Sequence, residues 1–381
     1  MASLPTTSVT THFASLPDPR VERTKHHALL DLLTIALCAV ICGADSWVEV
    51  ERFGHAKEAW LRTCLALPNG IPCHDTFGRV FARLDPDAFE RCFLAWVQAV
   101  VGEPAAQVVA LDGKTLRRSH DRRAGKGALH MVSAWATANR LVLGQVAVDA
   151  KSNEITAIPA LLKLLALEGC TVTIDAMGCQ TAIARQIRAR GADYVLALKD
   201  NHPTLCAEVA ATFSLARGDG FADLDVAHHA YLQTIDKGHG RLELRRYWTI
   251  SDPAILAALN PAGAWTDLRS IGMVEAERRI GSKVTVETRY YLASLRGDVA
   301  PFAHAVRDHW GVENRLHWVL DLAFREDESR VRTGHGAHNL AILRHVALNL
   351  LHRERTAKVG IKAKRLLAGW DERYLLKVLT V

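Results

Sequence analysis

The eight cysteines of this 381-residue chain include no pair at C-x-x-C spacing. The usual sign of a cysteine-ligated zinc site or of a redox-active pair is therefore missing. Most of the cysteines lie in apolar runs, where cysteine behaves as a small hydrophobic residue. We expect reduced thiols in a cytoplasmic protein.

The chain also lacks a long hydrophobic run. Its first residues, MASLPTTSVTTHFASL, have no basic start followed by an apolar stretch, so no signal peptide is predicted. The longest apolar run, from Leu29 to Cys42, contains Asp31 and is shorter than the roughly 20 residues that cross a bilayer. We interpret it as a buried helix and expect no membrane partner.

The distribution of charge indicates a polyanionic partner. Apolar residues make up 49% of the chain and charged residues 23%, which is ordinary for a globular protein, and the net charge is +6. Residues 114–126 carry six Lys or Arg against one acid, and residues 353–381 carry eight against three. The alternative is that both segments are simply solvated and flexible.

Changes in pattern divide the chain into four predicted parts. Residues 1–25 are expected to be flexible, 26–102 to form an all-helical domain, 103–353 a catalytic α/β domain, and 354–381 a basic tail. Two short helices before position 102 could form a helix-turn-helix that docks on DNA. Packing within a small helical domain is the favoured explanation, because any such domain contains pairs of this kind.

The α/β part has a distinctive order of elements. A strand, a two-stranded hairpin and then alternating helices and strands predict a mixed sheet with helices on both faces. This is the order of the ribonuclease H-like fold. A β-rich insertion is predicted at about 216–297, before one amphipathic helix over 306–327 that carries Glu313.

Three acids lie where chemistry is expected. Asp112 and Asp175 end the first and fourth strands, which are neighbours in the predicted order, and Glu313 lies on the late helix. The carboxyl ends of parallel strands face a ligand crevice. Three carboxylates suit Mg²⁺ or Mn²⁺, and two such ions can promote phosphodiester cleavage.

Other interpretations of the same residues stay open at this point. An aspartate after a strand is commonly a turn former or a helix cap. Glu313 could be a surface carboxylate paired with Arg315 or His317. The set His309, Glu313 and His317 could instead bind a transition metal, although the chain has no H-E-x-x-H sequence and this would leave the aspartates unexplained.

Several segments together resemble one known family. In order along the chain they are DPRVERTKHHALLDLLTIALCAVICGADSWVEVERFGHAKEAWL, ALDGKTLRRS, KSNEITAIPALL, IDAMGCQ, LALKDNH, KGHGRLELRR, HWGVENRLHWVLDLAFREDESRVR and HNLAILRHVALNLL. The chain resembles the ISAs-type, H-repeat-associated transposases of bacterial insertion sequences, within the DDE superfamily, over nearly its whole length from about residue 17.

The resemblance implies a fold, an activity and a site. It implies a helical transposase-associated domain, a ribonuclease H-like domain with a β insertion, and Asp112, Asp175 and Glu313 as a triad holding two Mg²⁺ or Mn²⁺ ions. The activity would be cutting DNA at the element's ends and joining its 3′-hydroxyls to target DNA. A homodimer on double-stranded DNA, in the bacterial cytoplasm and associated with the nucleoid, is expected.

The sequence departs from related transposases around the third acid. Where relatives with the same insertion carry Tyr, Arg, Glu and Lys, this chain has Val306, His309, Glu313 and Leu320. KDNH also replaces KGNQ and places Asp200 near the site. The DNA-binding side chains that we predict are Lys114, Arg117, Arg118, Arg122, Arg123, Lys199, His309, Arg315, His317, Lys362, Lys364 and Arg365.

Two further functions remain candidates. One is a nuclease that has the same fold but does not join strands. The other is a DNA-binding protein whose chemistry is unused, which the presence of all three acids argues against.

Overall fold

A computed structural model of the protein describes residues 9–101, 106–121, 125–148, 153–238 and 240–381. Among these residues, no helix is both long and apolar enough to span a bilayer. The helices that precede the first strand are α1 (Val9–Phe13), α2 (Leu29–Ile41), α3 (Trp47–Ala56), α4 (Glu58–Leu61), α5 (His74–Arg83) and α6 (Pro86–Val101).

Local sequence explains where these helices begin and how they pack. α2 is apolar over nearly its whole length and is buried from Leu32 onward. Ser46 and Glu49 form a capping box at the start of α3, which satisfies free backbone N–H groups. The N-terminal segment differs from the flexible stretch expected, because Val9 and Phe13 of α1 are buried and Phe13 packs edge-on against Phe89.

The second helix of the predicted helix-turn-helix pair, α6, packs against the rest of the protein. Glu90 of α6 is buried and accepts hydrogen bonds from Gln145 of the sheet. The helix also contacts α1 and a long C-terminal helix. These contacts bury one face of α6, which therefore acts as a packing element.

The sheet has nine strands in the order β3-β2-β1-β4-β5-β9-β8-β7-β6. β1 pairs with β4, and β4 with β5, in parallel, while the other neighbours are antiparallel. The predicted β insertion therefore extends the core sheet through β9. The strands are β1 (Val108–Leu116), β2 (Leu129–Ala136), β3 (Leu141–Val148), β4 (Thr171–Ile174), β5 (Asp193–Leu198), β6 (His229–Gly238), β7 (Arg241–Ile250), β8 (Ser270–Ile280) and β9 (Lys283–Ala293).

Helices cover both faces of the core sheet, as predicted. Val108 and Val195 belong to a buried cluster with residues of the late helix Val299–Gly311, whereas Val109 and Val172 pack in the cluster that holds the helices Glu154–Leu164 and Thr181–Ala189. Alternate residues of a strand point to opposite faces, which explains the division. The helices between the strands are α7 (Glu154–Leu164), α8 (Thr181–Ala189), α9 (Pro203–Gly218) and α10 (Pro253–Leu259).

The late helix begins earlier than predicted and changes its winding. Asp298 precedes its first turn, and the helical run continues to Ala323, with π-helical turns over Val312–His317. The predicted basic tail is also helical. The C-terminal helices are α11 (Val299–Gly311), α12 (Trp318–Ala323), α13 (Gly336–Arg353), α14 (Ile361–Trp370) and α15 (Glu372–Leu379).

Candidate active site

Asp112 and Asp175 lie side by side where two parallel strands separate. The pairing of β1 with β4 ends at Leu111 and Ile174, the residues just before the two aspartates. β1 itself continues to Leu116 through its pairing with β2, so Asp112 lies within the strand and not at its end. By strand alternation both aspartates lie on the face covered by α11.

Backbone amides hold the two carboxylates in place. Oδ1 of Asp112 accepts a hydrogen bond from Gly113 N at 2.9 Å. Oδ1 of Asp175 accepts bonds from Met177 N at 3.1 Å and Gly178 N at 3.3 Å. Each aspartate therefore keeps its second oxygen, Oδ2, for other partners.

Glu313 enters the site from the π-helical turns that follow α11. The N–H of Trp318 bonds to the carbonyl of Glu313, five residues earlier, which is the wider winding that proteins often use at functional positions. Val312 and Leu316 are buried beside it, while 60% of the Glu313 side chain is exposed. The apolar neighbours anchor the turn and leave the carboxylate free to project into the crevice.

His317 joins Glu313 to Asp112. Its Nδ1 lies 3.2 Å from Oε2 of Glu313 and 3.4 Å from Oδ2 of Asp112. One ligand atom from each of the three residues lies within 4.8 Å of the others. Asp175 is outside this close group but lines the same cavity, which measures about 550 Å³.

The acids differ in their electrostatic surroundings. Burial raises the pKa of Asp112 to about 6, the nearby His317 opposes this, and the charge of Asp175 adds to the increase. The hydrogen bond from His317 lowers the pKa of Glu313. Two neighbouring aspartates, one of them largely desolvated, make a place where a cation is favourable.

His309 does not complete a transition-metal site with Glu313 and His317. Its Nδ1 lies 3.0 Å from the hydroxyl of Thr173 on β4. Burial lowers its pKa to about 4. Glu313 and His317 of that predicted set do meet, but in the described residues the third group close to them is Asp112.

The cavity contains one cation that the sequence patterns did not single out. Arg289 of β9 and Lys199, just after β5, both line it, and only Lys199 was predicted. The guanidinium of Arg289 lies 4.4 Å from the ring centroid of Trp310 and also pairs with Glu287. The alternation of charged residues along β9 was visible in the sequence, but nothing local indicated that β9 would border β5.

Lys114 is not placed to bind DNA. Its ammonium group lies 2.5 Å from Asp321, 3.3 Å from Glu326 and 3.2 Å from Asp327, and only 11% of the side chain is exposed. These three carboxylates neutralise the ammonium charge of Lys114, which was predicted to bind a DNA phosphate. Lys114 instead ties β1, two residues after Asp112, to the helical segment that carries Glu313.

Two predicted DNA ligands of the tail are also used internally. Lys364 donates to the carbonyls of Leu351 and Glu354 and is buried. Arg365 donates to the carbonyl oxygens of Val40 and Ala323. Both side chains face inward because α14 packs against α2, α12 and α13.

The other predicted DNA-binding residues fall into two groups. Arg122 and Arg123 lie outside the described residues. His309 and His317 are partly and fully buried, respectively. The remaining predicted side chains are exposed: Arg117, Arg118, Lys199, Arg315 and Lys362.

Comparison with known proteins decides the family. The sequence model of a protein family described as "Transposase DDE domain" matches residues 103–350. A second family model, described as "DDE_Tnp_1-associated", matches residues 10–97. The chain belongs to the DDE transposase family. The structure has the large mixed sheet and many helices that the ribonuclease H-like fold of this domain implies.

Full-length relatives agree with this assignment. The chain is 37% identical to the "H repeat-associated putative transposase YhhI" of Escherichia coli K12, over 97% of this chain and 96% of the relative. It is 39% identical to the "Putative transposase YncI" of E. coli O157:H7, over 98% and 94%. The predicted H-repeat-associated group is thereby confirmed.

Proposed function

We propose that this DDE transposase cuts the ends of an insertion sequence and joins the resulting 3′-hydroxyls to target DNA. The observation that carries the proposal is the meeting of Asp112, Asp175 and Glu313 at one cavity, between two parallel strands and a helix that arrives from far along the chain. A catalytically idle DNA-binding protein would have no need for this cluster.

The side chains of the site fit divalent cations. Asp112 and Asp175 would hold two Mg²⁺ or Mn²⁺ ions between them, and Glu313 would complete the second position. Bound there, the ions would supply the charge that activates an attacking hydroxyl and stabilises the leaving oxygen. The fit rests on the donor set: free carboxylate oxygens, with Asp112 partly buried beside a second aspartate.

The protein's own cations would position the phosphate. Arg289 and Lys199 line the cavity from the side opposite Asp112, on β9 and after β5. Stacking on Trp310 limits the rotamers of Arg289 and leaves guanidinium N–H groups for phosphate oxygens. We propose that these residues serve where relatives use the Arg and Lys that His309 and Leu320 replace.

The exposed basic residues would bind the flanking duplex. Arg117 and Arg118 follow β1 directly, and Arg315 lies on the π-helical turns beside Glu313. Contacts of this kind set affinity and its dependence on salt, not sequence preference. Because two element ends must be brought together, a homodimer on DNA remains part of the proposal.

Single carboxamide variants test the chemistry. Asp112→Asn, Asp175→Asn and Glu313→Gln should each reduce cleavage of end-containing DNA in Mg²⁺ by at least about a thousandfold, because each removes a ligand charge. Binding of the same DNA in a gel-shift assay should persist. Glu328→Gln, an exposed carboxylate paired with Arg325, is the matched control.

A pre-cut element end separates the candidate functions. A transposase joins the 3′-hydroxyl of that end to a target plasmid, whereas a nuclease of this fold only degrades the substrate. Failure of wild-type protein to cut or join would favour the idle DNA-binding protein. An Asp112→Asn protein that still nicks the DNA would overturn the assignment of the site.

A further inference from the structure

We infer that His317 is a metal ligand, so that one cation position of this site is a mixed nitrogen and oxygen set formed by Asp112, Glu313 and His317. The inference deepens the proposed function, on which it rests for the presence of a divalent ion. It adds an imidazole to a site otherwise described by carboxylates alone.

The spacing of the three groups fits one cation. Ligands at neighbouring corners of an octahedron around an ion at about 2.1 Å lie about 3 Å apart. Nδ1 of His317 lies 3.2 Å from Oε2 of Glu313 and 3.4 Å from Oδ2 of Asp112. Small side-chain movements would bring all three atoms onto a common ion.

The ring of His317 is held in position by the fold. The side chain is 5% exposed, and the neighbouring Leu316 is fully buried in the main core. A surface histidine paired only with Glu313 would be mobile and would gain little from the contact. Here a buried imidazole points one nitrogen at two carboxylates that enter from different elements, β1 and the π-helical turns.

The second ring nitrogen of His317 is compatible with a ligand role. Nε2 of His317 is buried and has no hydrogen-bond partner among the described residues. His345 on α13, whose Nδ1 is likewise buried without a partner, interacts electrostatically with His317. Metal-ligating histidines commonly donate their other N–H to a nearby acceptor or water. Nε2 of His317 has no partner among the described residues and is therefore available for such a bond.

The chemical consequence is a change in metal preference. Carboxylates suit Mg²⁺ and Mn²⁺ alike, whereas an imidazole nitrogen favours first-row transition ions over Mg²⁺. We therefore expect the free protein to bind Mn²⁺ more tightly than Mg²⁺. His317→Gln should weaken Mn²⁺ binding by about tenfold and Mg²⁺ binding less.

Electron spin-echo spectroscopy of Mn²⁺ bound to the DNA-free protein tests the inference directly. Wild-type protein should give nitrogen modulation from a coordinated imidazole. The modulation should disappear in His317→Gln and persist in His309→Gln, which removes a histidine that lines the cavity.

Three results would overturn it. Bound Mn²⁺ without nitrogen modulation would reduce His317 to a hydrogen-bond donor that positions the acids. Loss of modulation in His309→Gln, and not in His317→Gln, would show that His309 is the nitrogen ligand instead of His317. Absence of bound Mn²⁺ at saturating concentration would show that the set is not assembled in the free protein.

The spectroscopic result is independent of the cleavage result. A protein with the nitrogen signal that never cuts or joins DNA would refute the proposed function and leave the ligand assignment intact. A protein that transfers strands without the nitrogen signal would refute the ligand assignment and leave the proposed function intact. Circular dichroism of each variant confirms that the fold is retained.

Discussion

Glu90 illustrates at the residue scale how burial changes a carboxyl group. It lies on α6 and accepts hydrogen bonds from Gln145 N at 3.1 Å and Gln145 Nε2 at 3.2 Å. Burial nevertheless raises its pKa to about 8, because the charged form loses its hydration. Oε1 of Gln145 is buried without a partner, and a protonated Glu90 could donate to it after rotation of the amide.

The raised pKa predicts a pH-dependent stability. Between about pH 4.5 and pH 8 the folded protein holds a proton on Glu90 that the unfolded chain releases. The free energy of unfolding should therefore fall with rising pH, by up to about 1.4 kcal/mol per pH unit from this group. Glu90→Gln removes this loss, so the variant should gain stability relative to wild type as pH rises.

Urea unfolding at several pH values between 5 and 8.5 measures the difference. The exposed Glu168→Gln is the control, and its stability should follow that of wild type throughout. Parallel curves for wild type and Glu90→Gln would show that Glu90 is ionised in the folded protein.

The helix α14 shows at the scale of an element how one short stretch divides its basic residues between two roles. Lys362 is exposed, whereas Lys364 and Arg365 are buried and bond to backbone carbonyls of α2, the α13 region and α12. Side chains two positions apart on a helix, such as those of Lys362 and Lys364, point to nearly opposite faces. Charge density along the sequence does not distinguish them.

A matched pair of variants separates the two roles. Lys364→Ala leaves Glu354, which is fully buried, without its cation and should lower the free energy of unfolding by about 2–4 kcal/mol. Lys362→Ala should change stability by less than about 0.5 kcal/mol. If Lys362 contacts a phosphate, its loss should reduce the salt dependence of DNA binding by about one unit of slope.

Urea unfolding and DNA titrations over a range of salt concentrations check these expectations. Lys364→Ala, once folded, should bind DNA with the wild-type salt dependence. The reverse result, with Lys364→Ala stable and weakened in DNA binding, would restore the original prediction for this residue.

At the scale of the whole molecule, α13 joins the helical domain to the catalytic sheet. Asn339, fully buried, donates to the carbonyls of Phe81 at 2.8 Å and Leu84 at 2.9 Å. Three turns later, Asn349 exchanges two hydrogen bonds with the backbone of Val142 on β3. The two predicted domains therefore share a central helix, and we expect them to unfold together.

Asn339→Ala tests this coupling. It leaves two buried carbonyl oxygens without a donor and should cost about 1–3 kcal/mol. Hydrogen exchange should accelerate by similar factors in α5 and in β3, because both depend on α13. The exposed Gln98→Ala should change neither. Faster exchange confined to α5 would indicate that the domains unfold separately.

Much of the architecture follows from local patterns. Alternating and apolar runs predicted the hairpin of β2 and β3, the alternation of strands and helices after it, and the β-rich insertion, since side-chain periodicity reports which face is buried. The predicted start at 306 lies seven residues after the actual start of α11 at Val299, although Asp298 is a residue type that favours helix starts. The π-helical winding at Glu313 has no sequence signature that we recognise.

The sequence by itself determined which groups are available: two aspartates at the ends of predicted strands, a glutamate on a late helix, and an excess of cations. Their assignment as a triad stays a prediction, although all three border one cavity. Only the tertiary structure decided the partners. Lys114 meets Asp321 from 207 positions away, and Arg365 meets Val40 from 325. Residue type fixes a charge, but its neutralisation depends on packing between distant segments, which no local pattern encodes.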